Sequence, residues 1–111
     1  MPIMNNKQEK TVLLEEQKRL LKKFAHHLKP VVQIGKKGVS LTLIKEINQA
    51  LFDHELIKIQ ILPIQKNEIE ENIREIIKET NAHHIATIGN VIVLFKAREE
   101  NSSFFTEERK G

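Results

Sequence analysis

The sequence predicts an α/β chain of the α+β, two-layer kind: a mixed four-stranded sheet with helices packed on it, in the order α-β-α-β-α-β-β. Three observations predict it. Apolar residues recur at helical spacing in three segments, and they alternate or run together in four short segments between and after them. The last two short segments are joined by Gly89-Asn90, a two-residue hairpin signal, so these strands are antiparallel, whereas strands joined through a helix run parallel. The 111 residues are the size of one domain and can bury one core without a disulfide or metal staple.

The first helix is expected over residues 13–28. Leu13, Leu20, Leu21, Phe24 and Leu28 fall on one side when each residue is advanced by about 100°. Arg19, Lys22, His26 and Lys29 fall on the other, with Lys18 and Lys23 at the borders, and Pro30 stops the helix. Val31–Ile34 reads as a short buried strand ended by Gly35. Ser40 suits the N-cap of a second helix that places Leu43, Ile44, Ile47, Ala50 and Leu51 at core spacing. Residues 56–62 alternate, with Ile57, Ile59 and Ile61 on one face and Lys58 and Gln60 on the other, a half-buried strand closed by Pro63. A third helix from Asn67 to Thr80 turns Ile69, Ile73, Ile76 and Ile77 inward, and Asn81 suits its left-handed end. Residues 84–88 and 91–96 form the hairpin. The domain is expected to occupy residues 13–98, between a flexible stretch at 1–12 and a loose tail at 99–111.

Composition removes several kinds of chemistry. There is no cysteine, hence no disulfide, thiolate zinc site or cysteine nucleophile. No apolar run approaches the roughly 18 residues of a membrane span. The first residues lack the order of a secretion signal, and Glu9, Glu15 and Glu16 disfavour a transit peptide, so a cytoplasmic protein is expected. The histidine pairs His26-His27 and His83-His84 have no metal-ligand spacing: helical neighbours diverge and strand neighbours point to opposite faces. No serine sits in a nucleophile-elbow context, and the Glu-rich third helix reads as a solvated face. The expectation is a protein that is not an enzyme, with no metal and no cofactor.

Net charge is only +3, but residues 1–30 hold seven basic residues against three acids, and the last thirteen hold two against four. An anionic partner would meet the front of the chain. The feature best suited to such a partner is Gly35-Lys36-Lys37-Gly38, set between a strand and a helix start. Glycine at both corners permits positive φ and close approach of a sugar-phosphate chain. The unpaired N–H groups of the following helix form an anion site, and two lysines supply salt-dependent phosphate binding. By itself a GxxG turn is a weak motif. Lys29 before the strand, and the basic side of the first helix (Arg19, Lys22, Lys23 and His26), extend it toward a phosphate track.

The segments AHHLKPVVQIGKKGVS, IKEINQALFDHELIKI and IREIIKETNAHHIATIGNVIVLFK closely resemble, in register across residues 13–98, the YhbY-like proteins of the CRM-domain family (chloroplast RNA splicing and ribosome maturation). The resemblance implies a domain similar to the C-terminal domain of translation initiation factor 3. It also implies RNA binding through Gly35, Lys36, Lys37 and Gly38 and, beside them, Lys29. Single-domain bacterial members are associated with precursors of the large ribosomal subunit, so the implied partner is ribosomal RNA. This loop is more basic than is usual in the family, and asparagine stands at position 81 where glycine is common. A protein-interaction module docking on a ribosomal protein or assembly factor is the alternative, with Phe104-Phe105 as anchor. The absence of Trp and Tyr disfavours base stacking and favours backbone and shape recognition of structured RNA by a monomer.

Overall fold

The computed structural model describes residues 13–62 and 68–98. The elements are α1 (Glu15–Ala25), β1 (Val32–Ile34), α2 (Leu41–His54), β2 (Leu56–Ile61), α3 (Ile69–Thr80), β3 (His83–Ile88) and β4 (Val91–Phe95). The expected order is therefore present, and the strands form one sheet in the order β1-β2-β4-β3. β1 and β2 are parallel across the α2 crossover, and β4 is antiparallel to both β2 and β3. Consequently β2 and β3, linked through α3, run in the same direction with β4 between them. Pro63, Asn67 and the Phe104-Phe105 pair lie outside the described residues.

β4 (Val-Ile-Val-Leu-Phe) is apolar at every position, which suits burial on both faces. Ile92 and Leu94 join Ile57, Ile59, Ile61, Val32 and Ile34 in a core roofed by Leu43, Ile44, Ile47 and Leu51 of α2 and Ile76 of α3. Val93 and Phe95 point the other way and, with Leu56 and Ile85, meet Leu21 and Ala25 of α1. The expected sheet with packed helices thus gains a further layer: α2 and α3 cover one face and α1 lies on the other.

That placement corrects the reading of α1. Leu20, Phe24 and Leu28, which fall on the apolar side of the helix, are 42%, 48% and 37% exposed, whereas Leu21 and Ala25 are buried. A single helix packed on a sheet face buries only the narrow strip that touches the sheet, here the i, i+4 pair Leu21 and Ala25. Val31, expected within the first strand, is 48% exposed and lies just before β1, although its N–H still donates to Lys58 O at 3.0 Å. On α3, Ile76 is buried while Ile69, Ile73 and Ile77 are partly buried against the same core.

Local signals hold at the element ends. Ser40 Oγ accepts the Leu43 N–H at 3.1 Å, as an N-cap should. Asn81 adopts φ 62° and donates its N–H to Ile77 O at 2.8 Å, the left-handed ending expected of it. In the hairpin turn Gly89 has φ +60° and Asn90 is not left-handed, the pattern of a II′ turn.

Less expected is the junction after α2. Glu55 is fully buried at φ 64°, a conformation unfavourable for a side chain with Cβ. Its Oε2 accepts the Arg98 N–H at 2.6 Å, and its own carbonyl accepts the Lys96 N–H at 2.9 Å. The Arg98 guanidinium donates to Phe52 O at 2.6 Å and Lys96 Nζ donates to Thr80 O at 3.0 Å. Each cation thereby sits at a helix C-terminus, where the backbone dipole favours it. Glu55→Ala should lower the unfolding free energy by about 1–3 kcal/mol, the cost of removing a charged acceptor from a part-buried N–H. Glu55→Gln should lose less, because its amide oxygen can still accept; urea denaturation of the two variants checks this.

Candidate nucleic-acid interface

β1 carries the chain along the edge of the sheet and delivers it to Gly35. The Gly38 N–H donates to Gly35 O at 3.0 Å, closing a tight turn whose tip is Lys36-Lys37, both exposed. Only Gly38 has a positive φ, +73°; Gly35 does not. Of the two corners where glycine permits positive φ, only the Gly38 corner uses it. A Cβ on Gly35 would meet Leu62 Cδ1 at 3.9 Å, an ordinary contact, so neither conformation nor packing demands glycine there. A small residue at that corner leaves room for an external chain to approach the backbone.

The turn opens onto α2. The first turn of that helix contains no acidic residue, whereas Glu15 and Glu16 begin α1 and Glu70 and Glu71 begin α3. Two lysines instead precede the positive end of the α2 dipole. Cations beside that end of the helix make a locus suited to an anion.

Arg19, Lys22, Lys23 and His26 line a shallow open depression on the outer side of α1, together with Glu16 and Leu20. They are all exposed, as is Lys29 in the segment between α1 and β1. The structure therefore brings the four α1 residues together, and brings Gly35, Lys36, Lys37 and Gly38 together, as two separate groups. α1 packs at the Leu56–Phe95 end of the sheet, while the turn lies at the other end, where Leu62 donates to Ile34 O at 3.0 Å and Ile61 to Asn90 O at 2.7 Å. Between the two groups, β1 and β2 expose Gln33 and Gln60 on the α1 side. Gln60 was expected on the outward side of its strand and Gln33 within a buried one; the strand pairing places the two side by side, both exposed.

Lys58, the polar residue of β2 nearest α1, donates its Nζ to Leu28 O at 3.0 Å, which ties the strand to the end of that helix. On the far edge, burial lowers the pKa of His84; a backbone hydrogen bond with Ala86 opposes the shift and the charge of Lys18 adds to it. His84 Nε2 and Thr87 Oγ1 share a hydrogen bond at 2.7 Å.

These features define a small α+β domain with a lysine-tipped GxxG turn at a helix N-terminus and a basic helix on the opposite sheet face. Residues 13–96 match the CRS1 / YhbY (CRM) domain, and the chain belongs to that family. It is 40% identical over 90 residues to a Haemophilus influenzae protein named RNA-binding protein, covering 81% of this chain and 91% of that one. It is equally similar, at 40% over 90 residues, to the Bacillus subtilis protein named Probable RNA-binding protein YqeI, covering 81% and 94%. The solution structure of the hypothetical protein SAV1595 from Staphylococcus aureus superposes with a TM-score of 0.73 at 32% identity, covering 85% of this chain and 98% of that one.

Two outcomes follow from this geometry. Gly38→Ala should cost about 1 kcal/mol through its positive φ, while Gly35→Ala should stay within about 0.5 kcal/mol of the parent in chemical denaturation. A histidine whose folded pKa is depressed binds fewer protons when folded, so it lowers stability as pH falls through its unfolded value. The loss of stability between about pH 7.5 and 5.5 should therefore be smaller in His84→Gln than in the parent, by thermal unfolding across that range.

Proposed function

We propose that this protein binds structured RNA, clamping its phosphate backbone between the Gly35–Gly38 turn and the N-terminus of α2. Lys36 and Lys37 provide the cations and the first-turn N–H groups of α2 the fixed dipole. Lys29 and the α1 residues Arg19, Lys22, Lys23 and His26 form a second cationic patch for the same molecule. The RNA is ribosomal RNA in precursors of the large subunit, and the protein acts there as a monomeric, non-catalytic assembly factor in the cytoplasm.

The observation that carries this reading is the pair of lysines set before an acid-free helix N-terminus. The helix dipole does not favour cations near that end, and an external phosphate meets both the lysines and the dipole favourably. Membership of the CRS1/YhbY family and the names of its relatives support RNA as that polyanion. A turn that presents backbone and lysines, with no Trp or Tyr in the chain, suits recognition of backbone and shape.

Affinity for structured ribosomal RNA should fall steeply with salt. The double variant Lys36→Ala, Lys37→Ala should bind more weakly and flatten the slope of log K against log salt by about two units at most. Binding as tight as the parent's would show that the turn is not the clamp. In-cell crosslinking should map contacts to large-subunit precursor RNA; crosslinks confined to a ribosomal protein would favour docking on a protein partner.

A further inference from the structure

The α1 face of the sheet changes character along its length. Beneath α1 it is apolar and closed, built from Leu56, Val93, Phe95 and Ile85. Beyond the Lys58–Val93 pair, toward the Gly35–Gly38 turn, the same face is open. Register places Gln33 beside Gln60, Gln60 beside Val91 and Val91 beside Ile88, one row across all four strands. Gln33 and Gln60 are exposed and Ile88 is 61% exposed. At the usual strand spacing this row is about 14 Å wide. It starts two residues before Gly35, so it is continuous with the lysine turn.

Its chemistry is unusual for an open sheet face. The four strands contain no Asp or Glu, and the row itself has no charge of either sign. Cations flank it instead: Lys36 and Lys37 beyond one end of β1, and Lys29 before the other. A surface needed only for solubility would interleave charges of both signs. A neutral amide both donates and accepts hydrogen bonds, which matches the ribose 2′-hydroxyl and the edges of bases, whereas phosphate only accepts.

We infer that the Gln33–Gln60 row is an RNA-specificity surface that contacts the riboses and base edges of a double-stranded RNA minor groove while the lysine turn holds the adjoining phosphates. This rests on the RNA-clamp reading above and divides that site by task. The A-form minor groove is wide and shallow and displays the 2′-hydroxyls, so a flat row of amides can lie in it. Val91 and Ile88 supply apolar contact beside the glutamines, and no aromatic residue on the row is available to stack a base. The turn, which meets only phosphate, gives affinity without distinguishing RNA from DNA; the row supplies that distinction.

The test compares an RNA hairpin with a DNA hairpin of the same sequence, by fluorescence anisotropy over a range of salt. Gln33→Ala with Gln60→Ala should reduce affinity for the RNA hairpin about tenfold, leave DNA binding unchanged and preserve the salt slope. Lys36→Ala with Lys37→Ala should weaken both hairpins alike and flatten both slopes. Should the glutamine double variant fail to fold, Gln60→Val, well suited to a strand and unable to hydrogen-bond, should show a smaller loss that is again confined to RNA. Equal losses for RNA and DNA in the glutamine variant would overturn the inference, as would no loss while the lysine variant still weakens binding. Failure of the parent protein to bind either hairpin would overturn the RNA clamp as well.

Discussion

In the register that runs from Leu56 opposite Phe95 to Gln60 opposite Val91, β2 and β4 assign every central residue to one of two faces. A shift of one residue would exchange the faces, sending Ile57 and Ile59 toward α1 and Leu56 toward α2 and α3. The rest of the architecture depends on this pairing. It buries both sides of β4, seats α1 on Val93 and Phe95, and lets β1 add to β2 so that Gln33 falls beside Gln60. The face assignment is thus the source of both the core and the open polar row.

The two poles of the sheet use positive charge in opposite ways. At the Leu56–Phe95 pole, Lys96 and Arg98 donate to the last carbonyls of α3 and α2, and buried Glu55 holds the chain after β4 in place. Those cations serve the fold. At the other pole Lys36 and Lys37 precede the start of α2, where the dipole disfavours them. The two ends of α2 therefore carry cations with opposite energetic sign: the far end stabilises the domain, and the near end is suited to an external anion.

Much of this was legible residue by residue. Ser40 before Leu43-Ile44, Asn81 after Ile76-Ile77, and Gly89-Asn90 between two apolar runs each specify their local structure through hydrogen bonds or φ preference within a few residues. The lysine turn was legible for the same reason. Glu55 was not: its importance comes from Arg98, 43 residues away, and an acidic residue ending a helix carries no local sign of burial. The apolar stripe of α1 was overread, because periodicity marks which side of a helix is apolar and not how much of that side a neighbour covers. The all-apolar β4 and the polar His83, His84 and Thr87 of β3 do contain the information that β4 is central and β3 an edge, although only the pairing makes it usable.

By itself the sequence determined the seven elements, their order, their caps and turns, and the presence of a lysine-bearing GxxG turn at a helix start. These depend on contacts between residues close along the chain. Only the tertiary structure decided that β4 lies between β2 and β3, that α1 packs on the sheet face opposite α2 and α3, and that the basic side of α1 and the lysine turn are separated by exposed sheet residues. Those outcomes depend on which apolar surfaces find one another across long separations, and periodicity within a segment holds no record of its partner.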